Sequence, residues 1–299
     1  MELELLKKNI LAYNASTRCV LADKCLLSYI LKKYFQEYKN LERDVIEKLI
    51  GPNIYKNDEI HKIYGLSNDD TSFLDGTVRY DLLFTVGLEN DESKIGIIFN
   101  LELQDEVEEA DLKRMNYYAA RILTSEKNRI FSKDEYKNIS KVCAIWLCIR
   151  PPKNRKNSIN FYSMKEENII GDYKAEKEHY DLLNILTIYL GDNLEIQELQ
   201  PFNILFKANL KPEEIFKILD DNYDINLHMD TREEVKSMCN LGEGIYKQGI
   251  TQGVDSATIQ HILNLMNSFN MSIEQVMDGM KLSDEDKIKY KTIILNQEK

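Results

Sequence analysis

Asp81, Glu102 and Gln104 are two carboxylates and an amide spaced so that a hairpin would carry them to one place. Tyr80 to Val86 is rich in β-formers, Gly87 to Lys94 is polar and turn-forming, and Ile95 to Gln104 returns with alternating apolar residues. A period of two puts Ile95, Ile97, Phe99, Leu101 and Leu103 on one face and Gly96, Ile98, Asn100, Glu102 and Gln104 on the other. Folding about the middle of the turn sets Asp81 opposite the stretch from Asn100 to Glu102, where directly opposed Cβ atoms are about 4.5–5.5 Å apart. Carboxylates that close repel unless a cation lies between them. Mg²⁺ takes oxygen donors, keeps several waters, and uses one or two carboxylates together with a substrate phosphate. Asp81, Glu102 and the main-chain carbonyl of Leu103 meet that need. Gln104 would orient a water or a phosphate oxygen, but an amide is neither cation nor base. The same pattern also suits an amphipathic hairpin with a solvated acidic face.

The elements around this pair come from periodicity. A helix expected over about 109–124 carries Lys113, and Arg114, Tyr118 and Arg121 recur on it at i, i+4, i+7. That basic and aromatic stripe reads either as a phosphate clamp or as the solvated side of a helix whose core face is Leu112, Met115, Ala119 and Ile122. Residues from about 17 to 50 predict two helices, with Gly51-Pro52 as a break and 53–79 polar and irregular. Ile30, Tyr34 and Glu37 form a helical stripe, so an acid falls on a face destined for the core and needs a partner. Lys33 or Arg43 would serve. Strands are expected over 141–149, near 159–164 and near 186–190, and a helix from Pro212 to about Leu219. The order β-β-α-β predicts an α/β fold with a central mixed sheet flanked by helices.

Several segments in combination resemble the PD-(D/E)XK nuclease family transposases, relatives of the recombination-promoting nucleases. Asp23-Lys24 followed by Tyr29 to Tyr38 is similar to the family's first helix, and Val78-Arg79-Tyr80-Asp81 to the segment bearing its motif aspartate. Phe99 to Gln104 resembles the glutamate-x-glutamine strand. Lys113-Arg114 with Tyr117-Tyr118 and Arg121 resembles the helix that follows, Lys141 to Cys148 the next strand, and Met238 to Leu241 a further match. The resemblance spans about residues 15–250. It implies a restriction-endonuclease-like core and a metal-dependent DNA endonuclease, with Asp81 and Glu102 as Mg²⁺ ligands (Mn²⁺ substituting), Glu37 as a further acid near the metal, DNA as partner, and a role in mobile elements or recombination. Gln104 stands where many members of the wider superfamily have lysine, which leaves open a catalytically weak or inactive DNA-binding or protein-interaction module on the same fold.

Composition narrows the classes. The chain has 299 residues and a net charge of −11, so DNA binding would depend on local basic patches such as Lys153, Arg155 and Lys156. Its longest apolar runs fall short of the roughly 20 residues a membrane span needs. The opening residues lack the basic-then-apolar order of a secretory signal. Five cysteines without a C-x-x-C pair read as reduced thiols of a cytoplasmic protein. Four scattered histidines argue against zinc, and with no G-x-x-x-x-G-K-[ST] loop no nucleotide cofactor is expected. Glycines 242, 244, 249 and 253 mark a junction, dividing the chain into 1–241 and a helical appendage over 242–299. Ile259, Ile262, Leu263 and Met266 form an apolar face there, one that a second copy of the chain would cover as a homo-oligomer. Ser272 to Gln275 reads as a helix N-cap and first turn.

Overall fold

The computed structural model describes residues 2–51, 69–72, 76–88, 91–106, 111–125, 136–193, 195–207 and 210–297. The expected basic loop and most of the expected polar stretch bear on this differently: 153–156 is described, whereas 52–68 and 73–75 lie outside the described residues.

The Asp81 hairpin forms with the expected register. Strands β3 (Leu82–Leu88) and β4 (Asp91–Glu106) pair antiparallel with Leu82 opposite Leu101 and Leu83 opposite Asn100, so Asp81, one residue before β3, adjoins Glu102. The chain then passes through α4 (Asp111–Ser125) to β5 (Lys141–Arg150), which lies parallel to β4. A parallel return needs such a crossover. Strand β6 (Ser158–Tyr162) and strand β7 (Leu183–Tyr189) complete a five-stranded mixed sheet in the order β3-β4-β5-β7-β6, antiparallel at both edges. Val142 to Cys148 are all buried, as the centre of a doubly covered sheet requires.

One face of the sheet packs on α4, where Met115, Ala119 and Ile122 meet Ile98, Val142, Ala144, Trp146 and Ile185. On the other face Phe99 stacks on Phe84 with ring centroids 5.3 Å apart, and Phe35 meets it edge-on at 5.0 Å. Phe35 follows α2 (Lys24–Tyr34), whose N-cap Asp23 accepts hydrogen bonds from the Cys25 and Leu26 amides at 2.9 and 3.4 Å.

The observed helices differ from the periodicity reading at the N-terminus. A further helix, α1 (Glu2–Leu21), precedes α2, and α3 (Arg43–Leu49) follows it. Part of the supposedly irregular stretch is an antiparallel pair, β1 (Asp69–Ser72) with β2 (Gly76–Arg79). After the sheet come α5 (Gln200–Phe206), α6 (Pro212–Tyr223), α7 (Met229–Phe269), α8 (Ile273–Gly279) and α9 (Asp284–Gln297).

The chain divides into two compact units, Asn14–Ser237 around the sheet and a helical unit of Met1–Tyr13 with Met238–Lys299. The expected boundary at 241/242 stands four residues from this one, and the first 13 residues group with the C-terminal segment. The glycine-bearing stretch is helical throughout, inside the 41-residue α7. Within the helical unit Ile259 and Ile262 are buried against Ile273, Val276, Met277, Tyr290 and Ile294, with Leu263 and Met266 packed alongside. That corrects the reason given for self-association: α8 and α9 cover the apolar face. Ser272 caps α8 as its sequence predicts, exchanging hydrogen bonds with Gln275.

Candidate metal centre

The register fixes the heart of the site. The Asp81 amide donates to Glu102 Oε1 at 3.2 Å, and the Leu103 amide donates to Asp81 Oδ2 at 3.1 Å, so each carboxylate is oriented by the other residue's strand. Glu102 faces α4 and is only 4 % exposed. Loss of water, then the neighbouring Asp81 charge, push its carboxyl up to about 8. The Asp81 amide pulls the other way. So does Asn100, whose side chain lies close enough to favour the charged form without a hydrogen bond of normal geometry to it. Asn100 is fully buried and neither atom of its amide has a hydrogen-bond partner, nor does the buried Trp146 Nε1.

These groups fit Mg²⁺. The donors are hard oxygens, two carboxylates share one place, and the buried one is costly when charged and alone. A divalent cation would remove that cost. Stability should therefore depend on pH in the metal-free protein. Glu102 has a native pKa above its unfolded value near 4.5, so its contribution is complete below that value and is lost as the pH rises through about 8. Melting temperature should fall between about pH 5 and 8 in wild type, more steeply than in Glu102→Gln, and Mg²⁺ should restore it at the upper end. Parallel melting curves for wild type and variant would remove Glu102 from this role.

Gln104 is joined to α4. Arg114 Nη2 donates to Gln104 Oε1 at 3.0 Å, pairs with Asp111 Oδ1 at 3.2 Å, and its guanidinium lies 5.1 Å over the Trp146 ring. The positive charge that an amide lacks thus stands beside it. Tyr118 packs edge-on against Tyr80 and tilted against Trp146, both with ring centroids 5.7 Å apart. The expected stripe divides here. Arg121 is 7 % exposed and donates to the Tyr117 hydroxyl at 3.3 Å, so it is built into the helix surface, while Lys113 is exposed.

Glu37 is not brought to the site. Helix α2 ends at Tyr34 with Phe35 extended, which takes Glu37 off the helical stripe and into the following turn. There it pairs with Lys141 Nζ at 2.7 Å, and Lys141 reaches Asp181 at 3.4 Å. Lys141 opposes Ile97 whereas Trp146 opposes Glu102, five residues further along the strand pair. At roughly 3.3 Å per residue that is about 16 Å, with the side chain on the opposite face. Neither Lys33 nor Arg43 is its partner: Lys33 lies near Glu198, and Arg43 bonds Ser28, Cys25 and Asp224.

Arg18 was not foreseen. It sits in the last turn of α1 and places Nη2 at 2.7 Å from Asp81 Oδ1. The sequence signal was thin, a single arginine among buried neighbours Ser16, Thr17 and Val20, and it becomes readable only once α1 is extended back past residue 17. Among the described residues, Glu176, Glu178 and His179 also offer mutually close ligand atoms, but all three are exposed and no second feature marks a site there. All five cysteines are free thiols. No described helix is long and apolar enough to cross a membrane. No protein-family model, curated protein or solved structure matches the chain.

Proposed function

We propose that the chain is a Mg²⁺-dependent DNA endonuclease with a restriction-endonuclease-like core, acting in the cytoplasm on mobile elements or in recombination. The observation that carries this reading is the reciprocal tie between Asp81 and Glu102, which holds a buried and a partly buried carboxylate against each other beside Gln104 and Arg114. Asp81, Glu102 and the Leu103 carbonyl would hold the ion. When bound, Mg²⁺ supplies Lewis acidity toward water and the phosphodiester.

The remaining work falls to the side chains. Gln104 orients the attacking water or a phosphate oxygen through its amide, and Arg114, steadied by Asp111 and Trp146, offers charge to the phosphate as negative charge builds on it. Water adds to phosphorus as the bond to the leaving sugar oxygen breaks, and the proton the water gives up passes through solvent to that oxygen. Tyr118 packs the wall behind them. The second reading, a DNA-binding or protein-interaction module that has lost or barely retains catalysis, draws on Gln104 itself, because an amide at that position cannot accept a proton.

A cleavage assay on supercoiled and linear DNA separates the two. Mg²⁺ and Mn²⁺ should support cutting, and Ca²⁺ should permit binding without turnover, because it is larger and the weaker Lewis acid. DNA retained in Ca²⁺ with no cutting in Mg²⁺ or Mn²⁺ would favour the second reading.

A further inference from the structure

The two oxygens of Asp81 have different partners. Oδ2 accepts from the Leu103 amide inside the strand pair, and Oδ1 accepts from Arg18. A cation held by Asp81 and Glu102 would draw on the Asp81 charge and so would compete with the guanidinium. Among the described residues, Arg18, Arg114 and Arg121 are held differently. Arg121 is buried against Tyr117, and Arg114 is fixed by Asp111, Gln104 and Trp146. The Arg18 side chain is 54 % exposed against 16 % for Asp81, and Asp81 is its ion-pair partner among the described residues. A half-exposed arginine held through a carboxylate that metal would claim is able to turn, and its planar fork matches a phosphate.

We propose that Arg18 is a phosphate-binding residue of this site: it balances Asp81 in the metal-free protein and passes to the DNA backbone when a divalent cation takes that carboxylate. This rests on the metal-centre reading above. Two equilibria should then move in opposite directions on Arg18→Gln. Calorimetric titration with Mn²⁺ in the absence of DNA should show affinity raised about two- to fivefold, the range set by a partly exposed ion pair. Binding of a short duplex in Ca²⁺ should weaken roughly tenfold, as loss of a charge-assisted hydrogen bond implies. The salt dependence of that binding should fall by about one counterion.

Arg18→Lys keeps the charge without the fork and should lie between wild type and Arg18→Gln in both titrations. A purely structural arginine would weaken both equilibria together or leave both alone. Mn²⁺ affinity that is unchanged or lower in Arg18→Gln, or duplex affinity that is unchanged, overturns the proposal while leaving the metal centre standing. Failure of wild type and variant alike to bind Mn²⁺ overturns the metal centre and this inference with it.

Discussion

Glu102→Ala and Asp81→Ala are each expected to lower Mg²⁺-dependent cleavage by about a thousandfold or more, equivalent to roughly 4 kcal/mol of transition-state stabilisation. Each removes one of two carboxylates that main-chain amides hold side by side, and Glu37, the third acid expected from the sequence, is committed to Lys141 on the far face of the sheet. The fold should survive. Asp81 lies at the mouth of the pair, and Glu102 is a carboxylate whose burial opposes its own charge, so its removal relieves a cost in the metal-free protein near pH 8. Single-turnover rates with circular dichroism on the same preparations check this. A folded Glu102→Ala that cuts at the wild-type rate would leave the acid pair without a catalytic part.

Arg114→Ala should lower the cleavage rate about a hundredfold, the scale of losing one charged donor beside a developing oxyanion. The substitution removes the cation that holds Gln104 and lies over Trp146. Arg121→Ala, about two turns further along α4, should behave differently. Its guanidinium is buried and pairs with Tyr117, so its loss should appear as a lower melting temperature with the rate per folded molecule nearly kept. Equal effects of the two substitutions on rate would mean that α4 presents an undifferentiated basic surface.

What could be read before the structure was local. Alternation along Ile95 to Gln104 and a polar turn of limited length fixed the register that joins Asp81 to Glu102, because a slip of one residue would exchange Ile97, Phe99 and Leu101 with Ile98, Asn100 and Glu102 between the two faces. The apolar run of β5 and the stripe of Met115, Ala119 and Ile122 on α4 were legible for the same reason. A central mixed sheet flanked by helices followed from them, whereas the strand order, with β7 between β5 and β6, did not.

The misreadings were of longer range or depended on where a helix stops. No glycine or proline marks the end of α2 at Tyr34, so the period carried Glu37 one turn too far. Four glycines, each costing a helix about 1 kcal/mol against alanine, suggested a joint where α7 runs on unbroken. A Cβ at Gly242 would stand 3.6 Å from the Tyr13 ring, an ordinary contact, and one at Gly244, Gly249 or Gly253 would meet open space. Arg18 reaches Asp81 across 63 residues of sequence, a pairing that no periodicity encodes.

The most direct test of the central claim is the conversion of supercoiled plasmid by wild type and Asp81→Ala, purified identically, in Mg²⁺ and after chelation. Wild type should nick or linearise the plasmid in Mg²⁺ and stop on chelation, while Asp81→Ala leaves it supercoiled in both. Equal conversion by the two proteins, or none by wild type in Mg²⁺ or Mn²⁺, would contradict the account.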